Sequence, residues 1–255
     1  MAELKWTGRV IWRELTSDDF NKSKAFYGEL FGWVFEDMDM GPAGKYPIIK
    51  ANGKGIGGMA APQMKGQPNA WLTYVCVDDV DASLEAVKAN GGKVLAPAMD
   101  IPTVGRIGVL ADFAGAAIAV MRPSPQSPSE LPTNDRPGMS TFCWETVTTP
   151  DVGKAVAFYG AVMAWGTTTA AAAGDGKVFT SKDGAQVADL QKSQGAVPPM
   201  WLTYVVVEKL ETARDRAAKL GGKVLMPLVE IPKVGRIAVV AGPDGAPIGL
   251  FEPGM

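Results

Sequence analysis

The side chains of this sequence that could carry out chemistry are carboxylates, arginines and tryptophans, because the 255-residue chain contains no histidine. Histidine is the commonest metal ligand and, near neutral pH, the commonest general base. Its absence also excludes nucleophiles of the Ser-His and Cys-His type. Any activity of the protein must therefore rest on other groups.

Glu14 is the candidate general acid or base. It follows Trp12 by two residues in the run Val10 to Leu15, whose alternation predicts a strand, so the two side chains share one face. A carboxyl group in apolar surroundings has a raised pKa and can exchange protons. The alternative is that Glu14 makes a structural hydrogen bond or contacts water at the rim of a pocket.

Tryptophan begins a stretch, WLTYV, that occurs twice, from Trp71 and from Trp201. Trp12 and Trp144 form a second matching pair. An indole offers a large, rigid apolar surface with one N–H donor, which suits a planar or hydrophobic ligand. The alternative is that each indole belongs to a core, since tryptophan is mostly buried in folded proteins.

Two arginines recur in the tripeptide G-R-I, Arg106 and Arg236. A guanidinium group there can bind an anionic substituent of a ligand through two hydrogen bonds. The alternative is a structural arginine that pairs with Asp112 or stacks on an aromatic ring.

The repeated stretches are part of a duplication. Residues 71–123 match residues 201–253 at roughly 24 of about 53 positions, and residues 10–33 resemble residues 141–165. The sequence therefore predicts two homologous domains, residues 7–122 and residues 139–255. The proline-rich segment 123–138 between them has the composition of a semi-rigid linker.

The elements that position the candidate residues follow the order strand, helix and three strands, twice in each domain. Val10 to Leu15 is the first strand. Thr16, Ser17 or Asp18 can cap the helix that follows, and Gly32 ends it.

Trp71 to Val77 is the next long strand, and it precedes a second helix. Tyr74 and Tyr204 alternate away from the leading tryptophans. We therefore predict that these two tyrosines pack in the core under a helix.

Composition limits the partners and the location. The net charge is -2 and there is no run of basic residues, so neither nucleic acid nor an anionic membrane is an expected partner. No apolar run approaches the roughly 18 residues of a membrane span, which predicts a cytoplasmic protein. Cys76 and Cys143 lie in apolar runs and are expected to be free, buried thiols.

Three motifs, in this order, resemble the vicinal oxygen chelate superfamily, which includes glyoxalase I, extradiol dioxygenases and bleomycin-resistance proteins. They are the run from Asp19 to Trp33, the GGKVL segments, and the D-x-x-G-A-x-I run from Asp112 to Ile118. The I-P-x-V-G-R-I segments are similar to those of a two-domain glyoxalase-like subgroup that includes mycobacterial antigen proteins, loosely labelled hydroxylases.

The resemblance implies an α+β fold with two βαβββ modules per domain, four in all, that form cup-shaped half-barrels. The ligand would lie inside a cup. Because two domains share one chain, the resemblance also implies a monomer with an internal pseudo-dimer, and a homodimer remains an alternative.

The resemblance further implies three ligand positions in the metal-using members. They lie seven residues before the helix-start aspartate, at the first residue of the fifth strand, and at a glutamate of the last strand. Tryptophan, alanine and glycine hold these positions here: Trp12, Trp144, Trp71, Trp201, Ala119 and Gly249. None of these side chains offers a metal a lone pair, so we expect neither a metal nor another cofactor.

The leading hypothesis is a metal-free protein that binds a small hydrophobic or aromatic molecule in cups lined by these four tryptophans, with Arg106 and Arg236 at the mouths. The first alternative is a lyase or isomerase that uses Glu14 without a cofactor, or an oxygenase of the glyoxalase type. The metal of that oxygenase would be held in a non-standard site made of Glu14, Glu145 and Asp189. The second alternative is an interaction module whose cups are filled.

Overall fold

A computed structural model describes residue 4 and residues 6–41, 44–127, 137–169, 176–194 and 197–254. Four helices and sixteen strands follow one another in these ranges. The helices are α1 (Phe20–Phe31), α2 (Val80–Ala89), α3 (Val152–Met163) and α4 (Leu210–Lys219). None of the helices in these ranges is long and apolar enough to cross a membrane.

The strands form two eight-stranded sheets, one in each sequence repeat. The first sheet contains β1 (Val10–Thr16), β2 (Val34–Asp39), β3 (Lys45–Ala51), β4 (Lys54–Ala60), β5 (Ala70–Cys76), β6 (Lys93–Ile101), β7 (Gly105–Ala111) and β8 (Ala117–Pro123). The second contains β9 (Phe142–Thr149), β10 (Gly166–Thr169), β11 (Lys177–Thr180), β12 (Gln186–Lys192), β13 (Met200–Val206), β14 (Lys223–Ile231), β15 (Gly235–Ala241) and β16 (Pro247–Pro253).

The order of strands is the same in both sheets. It is β2-β3-β4-β1-β5-β8-β7-β6 in the first and β10-β11-β12-β9-β13-β16-β15-β14 in the second. The first and last strands of each module pair in parallel, as β1 does with β4 and β5 with β8. The hairpins within the modules are antiparallel. The prediction of four βαβββ modules in an α+β fold is confirmed.

Aspartates cap the first three helices. Asp19, Asp79 and Asp151 each accept a hydrogen bond from the backbone N–H three residues later. The prediction that Thr16, Ser17 or Asp18 caps α1 is therefore wrong by at least one residue. Gly32 ends α1 in the left-handed conformation, as predicted, with φ of 72°.

By its contacts the chain divides into two compact units, each of which combines residues from both sequence repeats. The first unit takes its described residues from Met1–Ile11, Thr73–Thr133 and Glu145–Trp201. In it α2 packs against α3, and the core includes Leu84, Phe158 and Trp201.

The second unit takes its described residues from Trp12–Leu72, Asn134–Trp144 and Leu202–Met255. In it α1 packs against α4, and the core includes Phe26, Trp71 and Leu210. The boundaries of the units thus differ from the repeat boundaries, residues 7–122 and 139–255. The assignment of those repeats as domains stays a prediction.

Candidate functional site

The first strand presents Trp12 and Glu14 on one face, as its alternation predicts. Ile11, Arg13 and Leu15 are at most 1% exposed, whereas Trp12 and Glu14 are half-buried. Leu15 belongs to the core that contains helix α1. The face of a sheet that lies opposite its helices is termed the inner face below, and Trp12 and Glu14 lie on it.

A chain of hydrogen bonds joins Trp12, Tyr46 and Glu14. The indole Nε1 of Trp12 donates to the Tyr46 hydroxyl at 3.0 Å, and that hydroxyl donates to Oε2 of Glu14 at 2.7 Å. A hydrogen bond to an ionised carboxylate is stronger than one between neutral groups. The chain therefore fixes the carboxylate of Glu14 and the ring of Tyr46 in one orientation.

Gly58 makes room for the Tyr46 ring. Strand β4 pairs with β1 so that Gly58 lies opposite Glu14, and Gly58 is buried. A Cβ atom at Gly58 would lie less than 3.0 Å from the Tyr46 hydroxyl group and ring. The ring of Tyr46 thus lies over a strand position that only glycine can occupy without displacing it.

Tyr46 was not among the site residues predicted from the sequence. The signal that could have found it is the pairing of an aromatic strand, β3, with the glycine-rich strand β4. A glycine inside a strand often marks the close approach of another group. The three strands that follow the helix were predicted, but the position of the Tyr46 ring on the inner face was not.

In the second sheet, the pair of positions equivalent to Glu14 and Gly58 holds Thr146 and Asp189. The Thr146 hydroxyl and the side-chain amide of Gln191 both donate to the Asp189 carboxylate, the amide at 2.8 Å. Thr146 is 4% exposed and Asp189 is half-buried. Asp189 thus lies on the inner face and accepts hydrogen bonds from Thr146 and Gln191.

Trp144 packs in an apolar group within the second unit. The group has three buried members, Cys143, Tyr204 and Val206, with Trp144, Leu202, Ile237 and Phe251 against them. A Cβ atom at Gly249 would lie less than 3.0 Å from the Tyr204 ring. As at Gly58, a tyrosine ring lies over a glycine of the last strand in its module.

The structure places Trp71 and Trp201 in the helix-side cores, as the core alternative proposed. They are 6% and 5% exposed. The Trp71 indole donates to the Tyr27 hydroxyl at 3.3 Å, and the Trp201 indole donates to the Tyr159 hydroxyl at 2.9 Å. Each indole therefore lies on the helix side of its own sheet, and Trp71 lies on the face opposite the one on which Trp12 lies.

Tyr204 lies on the inner face beside Trp144, so the prediction that it packs under a helix is wrong. Tyr74 alternates with Trp71 along β5 in the same way and pairs with Ala119 of β8. The error arose because the leading tryptophan, and not the tyrosine, faces the helices. Tyr74 and Tyr204 are 6% and 5% exposed.

Arg106 forms ion pairs with the start of helix α2. Its Nε and Nη2 atoms contact the two carboxylate oxygens of Asp81 at 2.8 Å and 2.9 Å, and Nη1 contacts Asp100 at 2.9 Å. Hydrogen bonding to Arg106 lowers the pKa of Asp81. An anionic ligand at Arg106 would have to compete with two carboxylates.

Arg236 repeats this arrangement at the start of helix α4. It pairs with Glu211 and with Glu252, whose nearest contacts are 2.5 Å and 2.7 Å. Glu252 also accepts the backbone N–H of Leu210 at 2.7 Å. Hydrogen bonds from Arg236 and Leu210 lower the pKa of Glu252. Both arginines therefore connect a helix start to the sheet through acidic residues other than Asp112.

The residues at the implied metal positions do not fit a metal. Counted from the observed helix caps, the positions seven residues earlier hold Trp12 and Trp144, and in the other two modules Leu72 and Leu202. Tryptophan and leucine provide no donor for a divalent ion.

The non-standard set of Glu14, Glu145 and Asp189 does not assemble either. Glu145 is fully buried and accepts a hydrogen bond from Thr73 at 2.9 Å, while its strand neighbour Thr146 points to Asp189. Across the described ranges, no group of three or more His, Cys, Asp or Glu side chains is placed to hold a metal ion.

The comparisons with known proteins agree with this fold. The model of the Glyoxalase/Bleomycin resistance protein/Dioxygenase superfamily matches residues 9–120. A Mycobacterium tuberculosis protein named "Putative glyoxylase CFP32" is 32% identical over 254 residues, which are 96% of this chain and 95% of that protein. The Streptomyces peucetius "Anthracycline biosynthesis protein DnrV" is 30% identical over 261 residues, 96% of this chain and 93% of that protein. The chain therefore belongs to the glyoxalase/bleomycin resistance protein/dioxygenase superfamily.

Solved structures share the fold at low sequence identity. The 2,2',3-trihydroxybiphenyl 1,2-dioxygenase of Sphingomonas wittichii has a TM-score of 0.60 at 17% identity, with 98% of this chain and 91% of that chain covered. The Mn(II)-bound glyoxalase of Novosphingobium aromaticivorans has a TM-score of 0.59 at 14% identity, with 97% and 82% covered. Both likenesses concern the fold alone.

Proposed function

We propose that this protein binds a small planar or hydrophobic molecule that carries a hydroxyl group, without a metal, on the inner face at Trp12 and Glu14. The observation that carries the proposal is the Trp12–Tyr46–Glu14 chain of hydrogen bonds. It holds one carboxylate and two aromatic rings in fixed positions on a half-buried surface. Such a combination suits a ligand that is largely apolar and has a few polar groups.

The roles of the individual side chains follow from their contacts. The Trp12 ring provides apolar contact area, and its N–H is used to orient Tyr46. Glu14 accepts a hydrogen bond from the ligand hydroxyl, while Tyr46 holds the carboxylate in place. The name of the Streptomyces peucetius relative refers to anthracycline biosynthesis, and anthracyclines are planar hydroxylated aromatic molecules. The relative thus supports the same ligand class.

The proposal leaves four of the predicted ligand-binding residues in other roles. Trp71 and Trp201 support the two cores, and Arg106 and Arg236 support the helix starts. Trp144 remains a candidate for apolar contact with a ligand in the second unit, since it is half-buried among apolar side chains.

The proposal is tested by measuring the binding of an anthracycline by fluorescence titration. Trp12→Ala should weaken binding by about 2 kcal/mol or more, the usual cost of a lost aromatic anchor. Met99→Ala is the control, because Met99 is an exposed apolar side chain on β6. Equal affinities of Trp12→Ala and the parent for the probe, or no binding by the parent, would contradict the proposal.

A second candidate function is that of a lyase or isomerase that needs no cofactor, with Glu14 as the base. The 2.7 Å contact between the Tyr46 hydroxyl and Glu14 supports it, because a base and a proton donor are already paired. In that case Glu14→Gln would abolish exchange of an acidic C–H proton of the ligand with deuterated solvent. The binding of that ligand would be retained.

A further inference from the structure

The two repeats place one carboxylate each at the same pair of strand positions, but on opposite strands. In the first sheet Glu14 of β1 lies opposite Gly58 of β4. In the second sheet Thr146 of β9 lies opposite Asp189 of β12. Strands β1 and β9 open equivalent modules, and β4 and β12 close them. The carboxylate is thus on the first strand in one repeat and on the last strand in the other.

Each of these carboxylates accepts a hydrogen bond from a hydroxyl group in its own unit. Tyr46 donates to Glu14 at 2.7 Å. Thr146 donates to Asp189, which also accepts the Gln191 amide at 2.8 Å. The shorter side chain, Asp189, accepts from the hydroxyl of Thr146 on the paired strand. The longer side chain, Glu14, accepts from Tyr46, whose ring lies over Gly58. Different side chains therefore hold an equivalent carboxylate in each repeat.

A hydrogen bond to the neighbouring hydroxyl does not by itself require a carboxylate in both repeats. Burying even part of a charged group costs free energy, and a neutral threonine or asparagine could also accept a hydrogen bond from the neighbouring hydroxyl. Both Glu14 and Asp189 are half-buried and therefore retain exposed surface. A partly exposed residue whose carboxylate is oriented by a donor is suited to accept a further hydrogen bond from a ligand.

We propose that Asp189 is the centre of a second ligand site, in which its carboxylate accepts a hydrogen bond from a hydroxyl or N–H group of a small aromatic molecule. Thr146 and Gln191 orient the carboxylate. The class of ligand rests on the proposed function, since it is taken from the Glu14 site. The protein then has two sites per chain, one centred on Glu14 in the second unit and one on Asp189 in the first.

Calorimetric titration of the full chain with an anthracycline tests this proposal. The parent protein should bind two molecules per chain. Asp189→Asn should weaken one binding event about tenfold or more and leave the other unchanged, because a hydrogen bond to a charged group is lost. Glu14→Gln should weaken the other event. Asp215→Asn removes a carboxylate on helix α4 and serves as the control for charge.

The outcomes separate this inference from the proposed function. A single binding event that is weakened by Glu14→Gln, and unaffected by Asp189→Asn, overturns the second site and leaves the proposed function standing. No binding by the parent overturns both. If Asp189→Asn does not fold, Thr146→Val removes the orienting hydroxyl, and it should weaken the same event. An unchanged isotherm for a folded Thr146→Val variant would then count against the Asp189 site.

Discussion

The hydroxyl group of Tyr46 occupies the space above the α-carbon of Gly58, and from there it donates a hydrogen bond to Glu14. Gly58 lies opposite Glu14 across the pairing of β1 and β4. The absence of a side chain at one position thus determines where the phenol lies and which way the carboxylate is oriented. The identity of residue 58 and the pairing of β1 with β4 together determine the geometry of the candidate site.

Gly58→Ala should displace the Tyr46 ring and lower the free energy of unfolding by about 1–3 kcal/mol, the usual cost of overpacking. Denaturant unfolding measures the change. Gly55→Ala in the same strand is the matched control, because its Cβ would make an ordinary contact of 3.4 Å with Ile48.

A double-mutant cycle isolates the cause of this loss. In a Tyr46→Ala background, the clash at Gly58 no longer exists, so Gly58→Ala should cost much less. If the cost of Gly58→Ala is the same with and without the Tyr46 ring, the ring is not what requires the glycine.

Trp71→Ala and Trp201→Ala should each lower the free energy of unfolding by about 3–5 kcal/mol, because each removes a large buried side chain from a core. Trp12→Ala should cost less, since Trp12 is half-buried. Denaturant unfolding of the three variants checks this order. A cost for Trp12→Ala as large as that for Trp71→Ala would mean that Trp12 is also a core residue.

The ion pair of Arg9 with Asp183 should make stability depend on acid pH. Hydrogen bonds from Arg9 and Ser181 lower the pKa of Asp183 from 3.8 to about 2. Because the folded state has the lower pKa, the stabilisation is complete above the unfolded value. It is lost as the pH falls towards about 2.

Asp183→Asn should therefore reduce the Tm slightly at neutral pH. The Tm of this variant should also decrease less than that of the parent as the pH is lowered. The effect should be under about 1 kcal/mol, because the Asp183 side chain is 48% exposed. Melting curves from neutral pH to about pH 2 measure it. The same acid dependence of Tm in the parent and in Asp183→Asn would exclude this ion pair as its source.

Cys76 should be inert towards thiol reagents in the folded protein. Burial raises its pKa from 9.0 to about 12, with a smaller contribution from Asp78, and its side chain is 0% exposed. The thiolate is the reactive form, so labelling by a disulfide reagent near neutral pH should require unfolding. Rapid labelling of Cys76 in the native protein, located by mass spectrometry, would contradict the buried position.

Local sequence signals predicted the module order well. Alternation in Val10 to Leu15 and the cap and stop signals around α1 are properties of a few neighbouring residues, and the structure follows them within one or two residues. The prediction that Cys76 and Cys143 are buried and outside a disulfide is confirmed for the same reason, since both lie in apolar strands.

The orientation of Trp71 and Trp201 could not be predicted in the same way. Trp71 begins a strand-like stretch, but its face depends on the register of β5 relative to the helix cap at Asp79. Counting from that cap places Leu72, and not Trp71, at the position equivalent to Trp12. Likewise, the contact of Tyr46 with Gly58 depends on pairing between strands, which no local pattern specifies. The cytoplasmic location and the monomeric state stay predictions.

The most direct test of a ligand site at Trp12 and Glu14 uses nuclear magnetic resonance. The indole N–H signals of the seven tryptophans are recorded while a hydroxylated planar aromatic molecule is added. Each signal is assigned by a tryptophan-to-phenylalanine variant. If the ligand binds at Trp12 and Glu14, the Trp12 signal shifts on binding, because its N–H is hydrogen-bonded to Tyr46 beside Glu14. The signals of Trp71 and Trp201 then change little. Binding that shifts Trp71 or Trp201 and leaves Trp12 unchanged would contradict this site.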